Sequence, residues 1–334
     1  MEHSPPSQVT NAALVLGITG GAGGAVARAL LEHGWQVRAL HRDPSRARHQ
    51  ARDLSGVDWR EGDARSPRDV LRAAGGVDVI VHAVNPPGYR KWQELAVPML
   101  ASSIEAARQS GARILFPGNV YNFGPDAWPL LREDSPQHPT TRKGAVRVEM
   151  ERMLEQAADS GARSIVIRAG DFFGGGGEGS WFGAAMVKPG KPLRAVTYPG
   201  APEVGHAWAY LPDLGETFAR VADLEKGLPD FGRFHFGGQW LEPGIEIVES
   251  VRRVLGRPDL RVRRMPWWLM RLASPVAPFL RELLEMRYLW YEAVRLDNSR
   301  LVALLGREPH TPLDEAMRAT LAALGCIEPE VPTD

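Results

Sequence analysis

The sequence predicts an α/β fold: a doubly wound parallel sheet with helices on both faces and a smaller C-terminal lobe. Three observations predict it. Short, nearly continuous apolar runs alternate with amphipathic stretches up to residue 170. Such runs suit strands covered on both faces, and their alternation with helices implies right-handed crossovers. A glycine-rich turn follows the first run and opens the first helix. Beyond residue 170 the rhythm breaks, because Gly and Pro crowd 174–179 and 189–205. That composition marks loops, and the second unit is built on the end of the sheet.

Each element follows from local pattern. Residues 13–18 (ALVLGI) form the first apolar run. Residues 25–34 read as a helix, since Val26, Leu30 and Leu31 share a face and Gly34 suits its end. Residues 35–41 alternate as a strand does, 57–63 form a short strand, and 77–84 are almost wholly apolar. Helices are expected at 93–109 and 142–160, with strands at 112–118 and 162–170. In the last third, 212–226 and 243–256 look helical around a strand at 232–238. Residues 266–296 are apolar and aromatic, then charged and helical, which suits packing of the lobe.

Composition excludes several functions. The 334 residues carry 40 basic and 40 acidic side chains, a formal net charge of zero. Nonspecific nucleic-acid binding needs a basic excess, so no nucleic-acid partner is expected. A single cysteine, Cys326, forbids an intrachain disulfide and any cysteine-based zinc site. The nine histidines lack metal-ligand spacing, so no metal is expected. No apolar run reaches membrane-spanning length, and MEHSPPSQVTNA lacks the basic start and apolar core of a signal peptide. The expectation is a cytoplasmic protein with a disordered tail at 1–11, a small-molecule partner and no stable membrane association. The amphipathic PWWLMRL segment (266–272) leaves a homodimer face open.

Gly17, Gly20 and Gly23 give G-x-x-G-x-x-G between a buried strand and a helix. With Thr19, Gly21 and Ala22 they form a turn whose backbone N–H groups and helix N-terminus can face a pyrophosphate. This is the context in which the motif means a Rossmann-type dinucleotide site. The tip of the second strand reads His41-Arg42-Asp43-Pro44. Arg42 there favours NADP, because a guanidinium pairs with the 2′-phosphate. Asp43, turned inward, would select NAD instead. The dinucleotide domain is therefore placed at 12–173, with 206–240 returning to it. The substrate lobe takes 174–205 and 241–326.

Five further segments keep this order and spacing: EGDA (61–64), VIVHAVNPP (79–87), VIRAGDFFG (166–174), HAWAYLPDLG (206–215) and LDNSRLVALLG (296–306). Together with the opening βαβ unit they resemble the extended or atypical short-chain dehydrogenase/reductase family, of the NAD-dependent epimerase/dehydratase type. The resemblance implies that Asp63 and Ala64 contact the adenine and that Ala83 and Val84 lie beside the cofactor ribose. It also puts Arg168 at the sheet edge where such folds bind ligands. Arg168 there reads equally as a cofactor contact or a structural ion pair.

The active site departs from the family. Members carry Tyr-x-x-x-Lys on the long helix, with an upstream Ser. The register from MERML (150–154) puts Lys143 and Arg147 at those positions, and no tyrosine in the chain is followed four residues later by lysine. The serine stretch reads Phe116-Pro117-Gly118-Asn119-Val120-Tyr121. Lys143 and Arg147 lie one helical turn apart. Arg147 could hold the ribose hydroxyls. Its charge and partial burial would lower the Lys143 pKa and suit that amine to acid–base work. Asn119 could bond a substrate oxygen, and Tyr121 is a second candidate proton donor. The plainer alternative is a basic face that binds cofactor alone.

Aromatics gather where the substrate would sit: Tyr89, Trp92, Phe172, Trp181, His206 and Trp208. Such a lining suits a small, flat or hydrophobic carbonyl compound, although for any single ring core or lobe packing is the better reading. Three functions remain. The first is an NADP-binding oxidoreductase acting on a small carbonyl or hydroxyl substrate. The second is a non-catalytic NADP-binding sensor of the NmrA-like kind, which the missing Tyr, Lys and Ser favour. The third is an epimerase or dehydratase that recycles the hydride internally.

Overall fold

A computed structural model describes residues 11–86, 92–175, 180–224 and 227–328. The N-terminal half alternates as expected: β1 (Ala12–Leu16), α1 (Gly21–Glu32), β2 (Gln36–His41), α2 (Pro44–Gln50), β3 (Asp58–Glu61), α3 (Pro67–Ala74), β4 (Val79–His82), α4 (Trp92–Ser110), β5 (Arg113–Asn119), β6 (Leu130–Leu131), α5 (Arg142–Ala158) and β7 (Ser164–Ala169). Then come β8 (Asp171–Phe173), a π-helical turn (Phe182–Met186), β9 (Ala195–Tyr198), β10 (His206–Tyr210), α6 (Leu211–Asp223), β11 (Phe231–His235), β12 (Gln239–Leu241), α7 (Glu246–Leu255) and β13 (Arg261–Arg264). The chain closes with α8 (Trp267–Ala273), α9 (Pro278–Glu285), a 3₁₀ turn (Arg287–Trp290), β14 (Arg295–Leu296), α10 (Ser299–Leu305) and α11 (Leu313–Ala323).

Seven strands form one sheet in the order β11-β7-β5-β4-β1-β2-β3, and every pairing in it is parallel. The crossover order places the C-terminal ends of β1, β4 and β5 side by side, the position where doubly wound sheets bind ligands. Both faces of the central strands β1, β4, β5 and β7 are buried. Ala13 and Val15 join the core under α1 and α6, while Leu14 and Leu16 join the core under α3, α4 and α5. That two-residue alternation explains why the strand reads as unbroken apolar sequence.

The lobe has its own core, in which Phe182, Val196, Trp208, Ile247, Trp290 and Met317 meet. A smaller cluster containing Val120, Phe123, Leu131 and Leu289 joins lobe to sheet. Two expectations change. Residues 266–296 do not pack the lobe throughout, and Pro266, Pro275 and Pro278 divide them into short pieces. Helix α8 buries no residue, and Trp268, Leu272 and Val276 are 72%, 73% and 86% exposed. Helix α10 also leaves the lobe: Leu301 is fully buried in the large core with α1 and α6.

Candidate functional site

The phosphate turn is built from backbone. Gly17 has φ +87°, and a Cβ there would lie 2.6 Å from Ala83 O and 2.7 Å from Val84 Cα. A Cβ on Gly23 would lie 2.3 Å from Gly17 O. These contacts seat α1 directly on the turn, so the helix starts at Gly21 rather than at 25 as its apolar pattern suggests. Its N-cap Gly20 offers no side-chain cap and its first turn holds no acid. The first N–H groups of a helix lack intrahelical acceptors and carry the positive end of the helix dipole. Thr19, Gly20 and Gly21 are exposed and Ala22 is half-buried, so the turn is open to an anion.

At the tip of β2, Asp43 is committed elsewhere. Its side chain caps α2 by accepting from Arg46 N at 2.9 Å. Arg42 is exposed beside it, near enough that its charge helps lower the Asp63 pKa. The largest cause of that lowering is the Arg65 hydrogen bond, 2.6 Å from Nη2 to Oδ2. Arg42, Asp63, Ala64, Ala83 and Val84 thus all follow strand ends on one sheet edge.

The opposite end of the site is built from side chains. Lys143 is only 5% exposed on the first turn of α5. Its Nζ donates to Glu282 O at 2.7 Å and sits 3.0 Å from Glu282 Oε2. Its backbone N–H donates to Glu285 Oε1 at 3.0 Å. Burial lowers the Lys143 pKa while Glu282 and Glu285 oppose it. One turn on, Arg147 is buried and donates to Pro117 O at 3.2 Å. Its guanidinium lies 4.9 Å from the Trp92 ring and 5.3 Å from Phe116. Burial, and then the Arg147 charge, push the neighbouring His82 down to about 3, so that ring is neutral. Asn119 Oδ1 accepts from Tyr121 N at 3.0 Å, shaping the loop after β5, and both side chains are half-buried.

Three sequence assignments are corrected. Arg168 is fully buried, and its guanidinium is taken up by Glu151 (2.6 and 3.1 Å), Glu133 O (3.3 Å) and His235 (3.1 Å). Of its two sequence readings, the structure shows the structural ion pair. Trp92 is buried in the core under α4 and carries Arg147 on its face rather than lining a pocket. Trp208 has no exposed surface and fills the lobe core. Phe172 is half-buried against the large core, and Trp181 stands edge-to-face on Trp290 at 5.5 Å. Tyr89 lies outside the described residues.

His206 does face a cavity, with Val120, Gly170, Asp171, Leu289 and Val294 among its walls. Its Nε2 lies 3.0 Å from Asp171 Oδ2 and its Nδ1 lies 3.1 Å from Leu289 O. Its ring stacks on Trp290 at 4.1 Å. Both neighbours are oxygen acceptors. Gly170 makes the pair possible, since a Cβ there would meet Ala207 O at 2.3 Å. Sequence reasoning passed over Asp171, Glu282 and Glu285. The available signal for Asp171 was an acid directly after a buried strand at the ligand edge.

Residues 13–231 match the NAD-dependent epimerase/dehydratase family. The chain belongs to that family. It is also 30% identical over 273 residues to a 3-diazoavenalumate denitrifying reductase from a Streptomyces species, covering 74% of this chain and 83% of the relative. Among solved structures, the Bordetella bronchiseptica enzyme WbmH in complex with NAD⁺ aligns with a TM-score of 0.67 at 19% identity, over 94% of this chain and 98% of that one. UDP-N-acetylglucosamine 4-epimerase from Bacillus cereus aligns with a TM-score of 0.70 at 14% identity, over 97% and 99%. At such identities these two likenesses speak for the fold.

Proposed function

We propose that the protein is an NADP(H)-dependent reductase of this family acting on a small, largely apolar substrate that carries a carbonyl or hydroxyl group. The observation that carries the reading is the enclosure of charge at the reaction end: Lys143, Arg147 and the Asp171–His206 pair are all withdrawn from water at the C-terminal edge of the sheet. Burying ionisable groups is costly, which supports a chemical use for the Asp171–His206 pair at this edge. The curated relative is a reductase by name, which favours net reduction over internal recycling.

The N-terminus of α1 would hold the pyrophosphate and Arg42 the 2′-phosphate, with Asp43 withdrawn into its cap. Arg147, fixed by Trp92 and Pro117 O, would present a permanent positive charge under the nicotinamide ribose. The bound cofactor would supply the hydride. Lys143 is tied to Glu282 and Glu285, so its role is to hold α9 over the site rather than to give up a proton.

The test is a fluorescence titration with NADPH and NADH. NADPH is expected to bind tighter than NADH by at least about tenfold, as a charge-assisted phosphate contact would give. Arg42→Ala is expected to remove that preference and leave NADH affinity unchanged. Binding of neither nucleotide would end the reading.

A further inference from the structure

On α5 the position of the family's tyrosine is held by Lys143, whose amine is bound to Glu282. Another tyrosine follows three residues after Glu285, which bonds the Lys143 backbone. Tyr288 lies in the 3₁₀ turn just after α9, and its hydroxyl is buried without a hydrogen-bond partner. Trp128 Nε1 and Glu285 Oε2 are in the same condition. The Trp128 and Tyr288 rings stack at 5.4 Å with planes 14° apart. Glu285 uses Oε1 on Lys143 N, while Oε2 is 3.9 Å from Arg142, beyond hydrogen-bond reach. The next residue, Leu289, gives its carbonyl to His206, so this short segment touches both α5 and the Asp171–His206 pair.

Buried polar atoms are almost always paired, and each unpaired one calls for an explanation. Three such atoms, two donors and one acceptor, belong to Tyr288, the Trp128 ring stacked on it, and Glu285 three residues before it. We propose that Tyr288, Trp128 and Glu285 form the polar end of the substrate site and receive a neutral oxygen, a hydroxyl or carbonyl, on an apolar body. The Tyr288 O–H and Trp128 N–H would donate to the oxygen lone pairs, and Glu285 Oε2 would accept from a hydroxyl. A carboxylate is disfavoured, because Asp171 and Glu285 both place negative charge near Tyr288. Burial, with those two acids, raises the Tyr288 pKa, which keeps the phenol protonated as a donor. Next to this turn, Val120, Leu289 and Val294 line a small cavity of about 10 Å³ beside His206. The inference rests on reading this sheet edge as an active site.

The experiment is calorimetric titration of the NADP⁺-saturated full chain with benzyl alcohol, and with benzoate as its charged counterpart. Benzyl alcohol is expected to bind at least about tenfold tighter than benzoate, and Tyr288→Phe to weaken it by about tenfold, the effect of one lost hydrogen bond. Because the hydroxyl has no protein partner, Tyr288→Phe is expected to keep the wild-type melting temperature and NADP⁺ affinity. Trp128→Phe, which keeps a ring for stacking, is expected to behave likewise. Equal affinity in wild type and Tyr288→Phe, preference for benzoate, or no binding of either probe by the wild type overturns the proposal. A marked fall in melting temperature on Tyr288→Phe overturns it too, by revealing a structural partner. Failure of NADP⁺ itself to bind removes the cofactor reading instead, and titration of the cofactor-free chain then still tests the alcohol site.

Discussion

The two ends of the candidate site are built in opposite ways. At the phosphate turn the chain works through its backbone: Gly17 and Gly23 let main chain approach main chain, and no side chain is needed. At the reaction end the chain works through side chains from distant segments, with Lys143 on α5 meeting Glu282 and Glu285 from residues far along the sequence. A backbone-built site depends on residues within one turn of each other. A side-chain-built site depends on tertiary packing, and its members can be replaced in pairs.

The largest expected effect breaks the first end. Gly17→Ala forces a side chain into left-handed backbone and onto Ala83 and Val84. The two penalties together come to about 3 kcal/mol or more. Thermal unfolding is expected to show that loss, and NADPH binding to disappear in whatever folded protein remains. Breaking the second end should cost less and leave the first intact. Lys143→Met removes charged hydrogen bonds from Glu282, a loss of about 1.5–3 kcal/mol. The melting temperature is expected to fall while NADPH affinity stays at the wild-type value. A large change in NADPH affinity would show that the two ends are not independent.

The smallest effect serves as a remote control. His33, at the end of α1, lies 2.6 Å from Asp223 and 2.9 Å from Glu216 on α6. Burial opposes its charge, but the hydrogen bonds and charges of Asp223 and Glu216 outweigh it, and the pKa is raised. Its contribution is therefore complete below the unfolded value near about 6.5 and fades as pH rises through the higher folded value. The pair is partly exposed, so a few tenths of a kcal/mol is expected. The melting temperature of wild type relative to His33→Gln should drop slightly between pH 6 and pH 8.5, with cofactor affinity unaffected.

The same contrast governs what could be read from sequence. The positions of the central strands followed from apolar runs, because both faces of β1, β4, β5 and β7 are buried and periodicity needs no tertiary knowledge. Gly17 was legible because strand, turn and helix are contiguous. Arg168 was not, since its sequence neighbourhood says nothing of Glu151, which approaches from α5. Trp92 and Trp208 were misread for the same reason: a ring near the site in sequence can face either core or cavity. Tyr288 and Glu285 were overlooked because nothing in ELLEMRYLW announces that the segment folds back over α5.

The returning segment has a consequence for how this enzyme type diversifies. The family match ends at residue 231, whereas Glu282, Glu285 and Tyr288 lie beyond it. The segment that folds back onto α5 thus lies outside the stretch that the family match covers. A lineage could change its chemistry within one short C-terminal stretch and leave its cofactor machinery untouched. An engineer exchanging that stretch between relatives would be repeating the same experiment.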